Sequence, residues 1–451
     1  MWQTLVHVCR RWRSVVFGSP LRLNLRLVCT STTLARNLLD IWPALPLCIR
    51  CHYTGKESAD YVLGVLERNN RVFEICLGYF PSLDFEKIWA AMDVPFPDLT
   101  GLELTPNEKM ERVLPDSFLG GSAPRLQFLI LDGIPFPGLP KLLLSATHLT
   151  DLRLESIPHS GYFSPEAMVA ALSTLNNLDQ LRLEFQSPQS RPDRRPPPPT
   201  RVVHPSLTEF QFKGASEYLE DLVARIGVPQ LGNLKITVFN QIIFDMPQFI
   251  QFISRTPTLK APEKACVVFE DGASWVNFSS QTSGFKYFEV KIPCDDLDWQ
   301  ISSLEQVFTS CLPQLSTLES LSIDTAYGWQ PDWQDNVENT LWLELLLPFT
   351  SVKNFYICKE YVQRIEPALK DLAKGNSTEV LPALENIFVE EFESPRPDRA
   401  GILLFACRRQ ATSHPVSYRS WDRSFFTYAD SSSSDRSSLW DRGNVTSKMY
   451  S

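Results

Sequence analysis

Six segments repeat one pattern, apolar-x-x-apolar-x-apolar: LTGLEL (99–104), LQFLIL (126–131), LTDLRL (149–154), LDQLRL (178–183), LTEFQF (207–212) and LGNLKI (231–236). Further copies start at Leu318 (LESLSI), Val352 (VKNFYI) and Leu384 (LENIFV), and weaker ones at Val72 (VFEICL) and Phe285 (FKYFEV). The step between copies is 23 to 29 residues from Val72 to Leu231, and 32 to 34 from Phe285 to Leu384. The last two apolar residues of each copy alternate with polar ones, which is the period of a strand with one buried face. Several segments between copies read as helices. Ser164-Pro165-Glu166 opens one with an N-cap serine and a first-turn proline, continued by Ala167 to Leu175. Ser302 and Glu305 predict a capping box ahead of Val307 and Phe308. Ala215 to Ile226 and Phe249 to Ile253 carry similar apolar stripes. One strand and one helix per unit is the mark of leucine-rich repeats, here irregular because the usual Asn or Cys after the strand is mostly missing. No such unit buries its apolar face alone, and stacking does so. The expected fold class is α/β: an irregular leucine-rich-repeat solenoid with a parallel sheet on the concave face and helices on the convex face.

The composition fits a folded array. The chain has 451 residues with a net charge of −9, 19 glycines and 34 prolines. Sparse glycine leaves little room for phosphate-cradling loops, and the acidic balance disfavours a nucleic-acid binder. No apolar run reaches the ~18 residues of a membrane span, so the expectation is a cytoplasmic or nuclear chain without membrane contact. Residues 186–206, QSPQSRPDRRPPPPTRVVHPS, read as a Pro-rich loop inserted between repeats, and 422–451 as a disordered Ser-rich tail. The solenoid is expected over 21–421. Ten cysteines are too few for a disulfide scaffold. Cys48-Ile-Arg-Cys51-His52 has no second ligand pair, so its thiols read as small strand hydrophobes rather than half a zinc site. No metal and no cofactor are expected.

Residues 2–17, WQTLVHVCRRWRSVVF, place Leu5, Val8, Cys9, Trp12, Val15 and Val16 at helical spacing. Cys9-Arg10-Arg11-Trp12-Arg13 followed by Val16-Phe17 resembles the second half of an F-box, here over residues 1–20. The stretches ARNLLDIWPALPL (35–47), 113–154, SEYLEDLVARI (216–226) and QFISRTPTL (251–259) resemble a large family of basidiomycete-type fungal F-box proteins, as does the ending Cys407-Arg408-Arg409-Gln410. The resemblance implies a substrate receptor of a cullin–RING ubiquitin ligase, with a Skp-type adaptor and a target protein as partners in a complex. It implies adaptor contacts at Leu5, Val8, Cys9, Trp12, Val15 and Phe17. The Leu-Pro-x-x-x-Leu-x-x-Ile-Phe helix of a full F-box does not precede this segment. The alternative is a leucine-rich-repeat binding protein uncoupled from the ligase, in which the same segment caps the open end of the solenoid.

No nucleophile-elbow, P-loop, dinucleotide or zinc-protease motif occurs, and the six histidines lack ligand spacing. A non-catalytic binding role follows, seated on the strand residues that alternate with the buried ones. The partner-binding candidates are Phe128, Ile130, Asp132, Asp151, Arg153, Arg182, Glu184 and Tyr356. Their mixed charge suits a polypeptide better than a phosphate backbone.

Overall fold

The computed structural model describes residues 8–18, 26–30, 45–55, 57–188, 200–239, 244–260, 262–280, 287–310, 312, 315–325, 338–375, 379–390, 400–412 and 414–421. Leu5, the centre of the Pro-rich insertion (189–199) and the tail 422–451 lie outside these residues. In chain order the strands are β1 (Leu27–Cys29), β2 (Leu47–His52), β3 (Val72–Phe80), β4 (Gly101–Pro106), β5 (Phe128–Asp132), β6 (Asp151–Ile157), β7 (Gln180–Phe185), β8 (Val202–Val203) and β9 (Glu209–Gly214). They continue with β10 (Ile226–Gly227), β11 (Asn233–Val238), β12 (Lys264–Glu270), β13 (Ala273–Ser279), β14 (Tyr287–Pro293), β15 (Ser320–Thr325), β16 (Asn354–Ile357), β17 (Asn386–Glu390) and β18 (Ser417–Trp421). The α-helices are α1 (Arg10–Gly18), α2 (Glu57–Leu66), α3 (Ser82–Ala91), α4 (Leu139–Leu143), α5 (Pro165–Leu172), α6 (Ser216–Val223), α7 (Pro247–Arg255), α8 (Leu297–Ser310), α9 (Asn339–Leu346), α10 (Lys359–Lys374) and α11 (Ala400–Ala411).

Sixteen strands form one sheet in the order β1-β2-β3-β4-β5-β6-β7-β9-β11-β14-β13-β12-β15-β16-β17-β18. β8 and β10 make a small separate parallel ladder beside it. The repeat explains the order. Each copy places its fourth residue at the same height, so Leu102, Leu129, Leu152, Leu181, Phe210 and Leu234 pair in one register line. All six are buried. The backbone ladder begins one step earlier, at the residue after each leading leucine. There Gln127 N–H donates to Thr100 O at 2.7 Å, Thr150 N–H to Gln127 O at 2.7 Å and Asp179 N–H to Thr150 O at 2.9 Å. Leading leucines, inward strand residues and helix faces share a single hydrophobic core. The architecture is an irregular leucine-rich-repeat solenoid, as the pattern predicts.

Two expectations are corrected. The sheet is not parallel throughout, although β14, the strand of the copy at Phe285, keeps the repeat register with Phe288 beside Leu234. β12, β13 and β14 form an antiparallel meander, so the sheet runs β11-β14-β13-β12-β15 there. β14 is parallel to β11 and β12 is parallel to β15, which restores the direction of the array on both sides. The two-residue turn Asp271-Gly272 joins β12 to β13, with Gly272 at φ +77° where a side chain is strained. The capping box at Ser302 does not form either. Helix α8 starts earlier, where Asp296 Oδ1 accepts from the N–H groups of Asp298 (2.9 Å) and Trp299 (3.3 Å). Ser302 is mid-helix and its Oγ donates to Asp298 O. Helix α5 follows its prediction, with Ser164 Oγ accepting from Ala167 N–H at 3.2 Å.

Candidate interaction surface

The sheet has one face against the core and one turned away from it, here called the open face. Strand alternation puts Gly101 and Glu103; Phe128, Ile130 and Asp132; Asp151, Arg153 and Glu155; and Gln180, Arg182 and Glu184 on the open face. Apart from Gly101, which is covered, these residues are half-buried, while their neighbours along each strand are core. The eight partner-binding candidates all lie on this face. Seven cluster on β5–β7, and Tyr356 stands apart on β16. Register sets their neighbours: Phe128 beside Gly101 and Asp151, Ile130 beside Glu103 and Arg153, and Asp132 beside Glu155.

Phe128 is held by sterics. Its ring lies over Gly101, so that a Cβ at that glycine would sit 1.9 Å from the ring. Missing side-chain bulk on β4 is therefore what lets an aromatic lie flat on the open face. The charged members neutralise one another in part. Arg153 forks onto Asp151, Nε to Oδ1 and Nη2 to Oδ2, both at 3.0 Å, and also reaches Gln180 Oε1 at 3.1 Å. Arg182 bridges Glu155 at 3.0 Å and Glu184 at 2.5 Å. Burial raises the Glu155 pKa above the usual carboxylate range. Arg182 opposes that shift, while Glu184 and Asp132 add to it.

The open face extends well beyond the predicted set. On β2 and β3, Glu74 is almost fully buried between Arg26 (3.0 Å) and Arg50 (2.8 Å). On the meander, Lys291 pairs with Glu270 at 2.5 Å and lies over the Trp275 ring. At the far end Tyr356 stacks on Phe388, centroids 4.4 Å apart and 9° between planes. Trp421 meets Tyr356 edge-on, and Arg419 lies over Phe388. Glu74 and Phe388 are the alternates of the copies at Val72 and Leu384, so the same periodicity signals them. Trp275 has no such signal, because β12 and β13 lack the leucine pattern.

The cysteine pair resolves by geometry. Cys48 lies on the open face and Cys51 in the core, on opposite sides of β2, so the two thiols do not converge. Burial pushes Cys48 up to about 12 and Cys51 up to about 11. Cys358, Glu360 and Glu390 do converge, with possible ligand atoms within 4.8 Å of one another. Glu390 Oε2 already accepts from Lys359 N–H at 3.1 Å, which caps α10.

The adaptor candidates sit at the other end of the chain. Val8, Trp12 and Val15, at i, i+4 and i+7, are 64%, 50% and 59% exposed, and Cys9 is exposed beside them. Val16 is buried, and Phe17 packs partly buried against the same core. The segment is thus anchored by one side and open on the other.

No family model and no curated protein matches the chain. Among solved structures it is similar to LegL7, a leucine-rich repeat-containing protein from Legionella pneumophila, at 11% identity. The match covers 87% of this chain and 99% of that one, with a TM-score of 0.27. The strand order and register carry the fold assignment. Among the described residues no helix is long and apolar enough to cross a membrane.

Proposed function

We propose that this chain is a non-catalytic protein-interaction subunit that recruits a target protein on the open face of its sheet. The observation that carries this reading is the continuous row of half-buried side chains on β4–β11, apolar and charged together, above a sheet whose other face is fully packed. Aromatic and arginine side chains held in place by neighbours are the kind that anchor protein interfaces. Phe128 over Gly101 and the Arg153–Asp151 fork are held in that way. Single substitutions Phe128→Ala and Tyr356→Ala should each weaken a bound target protein while leaving the melting temperature nearly unchanged. A target that binds both variants as it binds the parent chain would remove the open face from the reading.

The finer reading is a substrate receptor of a cullin–RING ligase, with a Skp-type adaptor on the N-terminal segment. Exposed Trp12 and Val15 on α1, with Val8 in the turn before it, support it, because an apolar helix face with its opposite side anchored is suited to a helical partner. Purified adaptor should be retained by the chain and lost on Trp12→Ala or Val15→Asp. Failure of the parent chain to retain it would leave a leucine-rich-repeat binding protein without ligase coupling.

A further inference from the structure

We propose that the β5–β9 stretch of the open face takes a segment of the target protein that bears an arginine or lysine and, about four residues away, an aspartate or glutamate. The inference rests on the open face being the docking surface. Its own basis is how the charges fall in register. Open-face charges run from Asp132 on β5 through Glu155 on β6 and Glu184 on β7 to Lys213 on β9: register pairs Asp132 with Glu155 and Glu184 with Lys213, while the β6–β7 register shifts after Leu154 and Arg182 links Glu155 to Glu184. Three carboxylates on consecutive strands are followed by a cation. Arg182 sits between Glu155 and Glu184 and offsets one of the three charges. The Asp132 carboxylate makes no hydrogen bond or ion pair among the described residues, and the residue is half-buried. The row's two cations, Arg182 and Lys213, lie on β7 and β9, so its Asp132 end on β5 has no cation of its own.

The surroundings of Asp132 define what would supply it. Phe128 and Ile130 precede it on the same face of β5, both half-buried, which makes a strip of ring, aliphatic and carboxylate along one strand. Arg and Lys carry an apolar stem and a charged head, and this strip matches that sequence of chemistry from stem to head. Asp132 and Lys213 are three strand intervals apart. At ~4.8 Å per interval that is ~14 Å, or about four residues of extended polypeptide at ~3.3 Å each. A basic and an acidic side chain at that separation would answer both ends of the row.

The test is selection from a displayed library of random twelve-residue peptides on the full chain, followed by affinity measurement of synthetic copies at low and high salt. The expected result is enrichment of peptides with Arg or Lys four residues from Asp or Glu. Their affinity should fall about tenfold on Asp132→Asn, fall further with Lys213→Ala added, and weaken with salt. Asp132→Asn is isosteric at a side chain without a hydrogen-bond partner, so the variant should melt with the parent. Enriched peptides that lack a basic residue, or that bind Asp132→Asn unchanged, overturn the inference. If such peptides are still lost on Phe128→Ala, the open face remains the docking surface and only its charge preference is wrong. If no peptide is enriched that responds to Asp132→Asn or Phe128→Ala, both readings fail.

Discussion

Gly101 and His204 show how single positions depend on neighbours distant in sequence. Gly101 lies in a strand at negative φ, where its backbone needs no glycine. Its role is to leave room for the Phe128 ring one strand away. Gly101→Val should therefore displace Phe128 and lower the melting temperature, and Phe128→Ala in the same chain should recover most of the loss. A double-mutant cycle by thermal denaturation measures that coupling. His204 follows β8 and is buried, with both ring nitrogens lacking a hydrogen-bond partner. Burial lowers its pKa. The unfolded chain then takes up a proton near pH ~6.5 while the folded one resists it, so stability falls as pH drops below that value. A His204→Leu variant should lose less stability than the parent between about pH 7.5 and 5.5, measured by urea denaturation. Equal losses would show that the imidazole is solvated in the folded state.

Helices in this solenoid are capped from neighbouring repeats, before or after their own. Helix α7 has no capping side chain of its own at Met246, and Glu220 on α6 takes its place. The Glu220 carboxylate accepts from Gln248 N–H at 3.0 Å and Phe249 N–H at 2.7 Å. Glu390 on β17 caps α10 in the same way, and Glu366 on α10 accepts from Gly401 N–H at 2.7 Å at α11. Arginines make similar ties to carbonyls. Arg255 donates to Val223 O and to Ile226 O at the end of α6, and Arg409 on α11 donates to Leu381 O in the turn before β17 at 2.9 Å. Such caps tie one repeat to its neighbour as well as ending a helix. Glu220→Ala removes the acceptor from one buried and one part-buried N–H group, so it should destabilise by about 1–3 kcal/mol. The urea midpoint reports this. Glu220→Gln should recover part of it, since the amide oxygen still accepts.

Across the whole molecule the repeats form a one-dimensional stack, in which each contacts mainly its neighbours. Damage to one should spread only locally. Leu152→Ala in the register line should cost about 2–5 kcal/mol. Hydrogen exchange should rise in β5, β6 and β7 while β16 and β17 keep their protection. A uniform loss of protection along the sheet would mean that the array unfolds as one unit. The strands, the buried line and the open-face residues were legible in the chain because one motif recurs. In a parallel stack, equal motif positions must fall at equal heights, so local periodicity already encodes the long-range register. The inserted antiparallel strands β12 and β13, the caps from Glu220 and Glu390, and the acidic row ending at Asp132 were not legible in that way. Each depends on which segments become neighbours in space, and hydrogen bonds and charge contacts between strands or helices leave no periodic trace in the sequence. The same physics separates two kinds of knowledge about the open face. Alternation alone says which side chains reach it, but only packing and register say that Phe128 lies over Gly101 and that three carboxylates stand side by side.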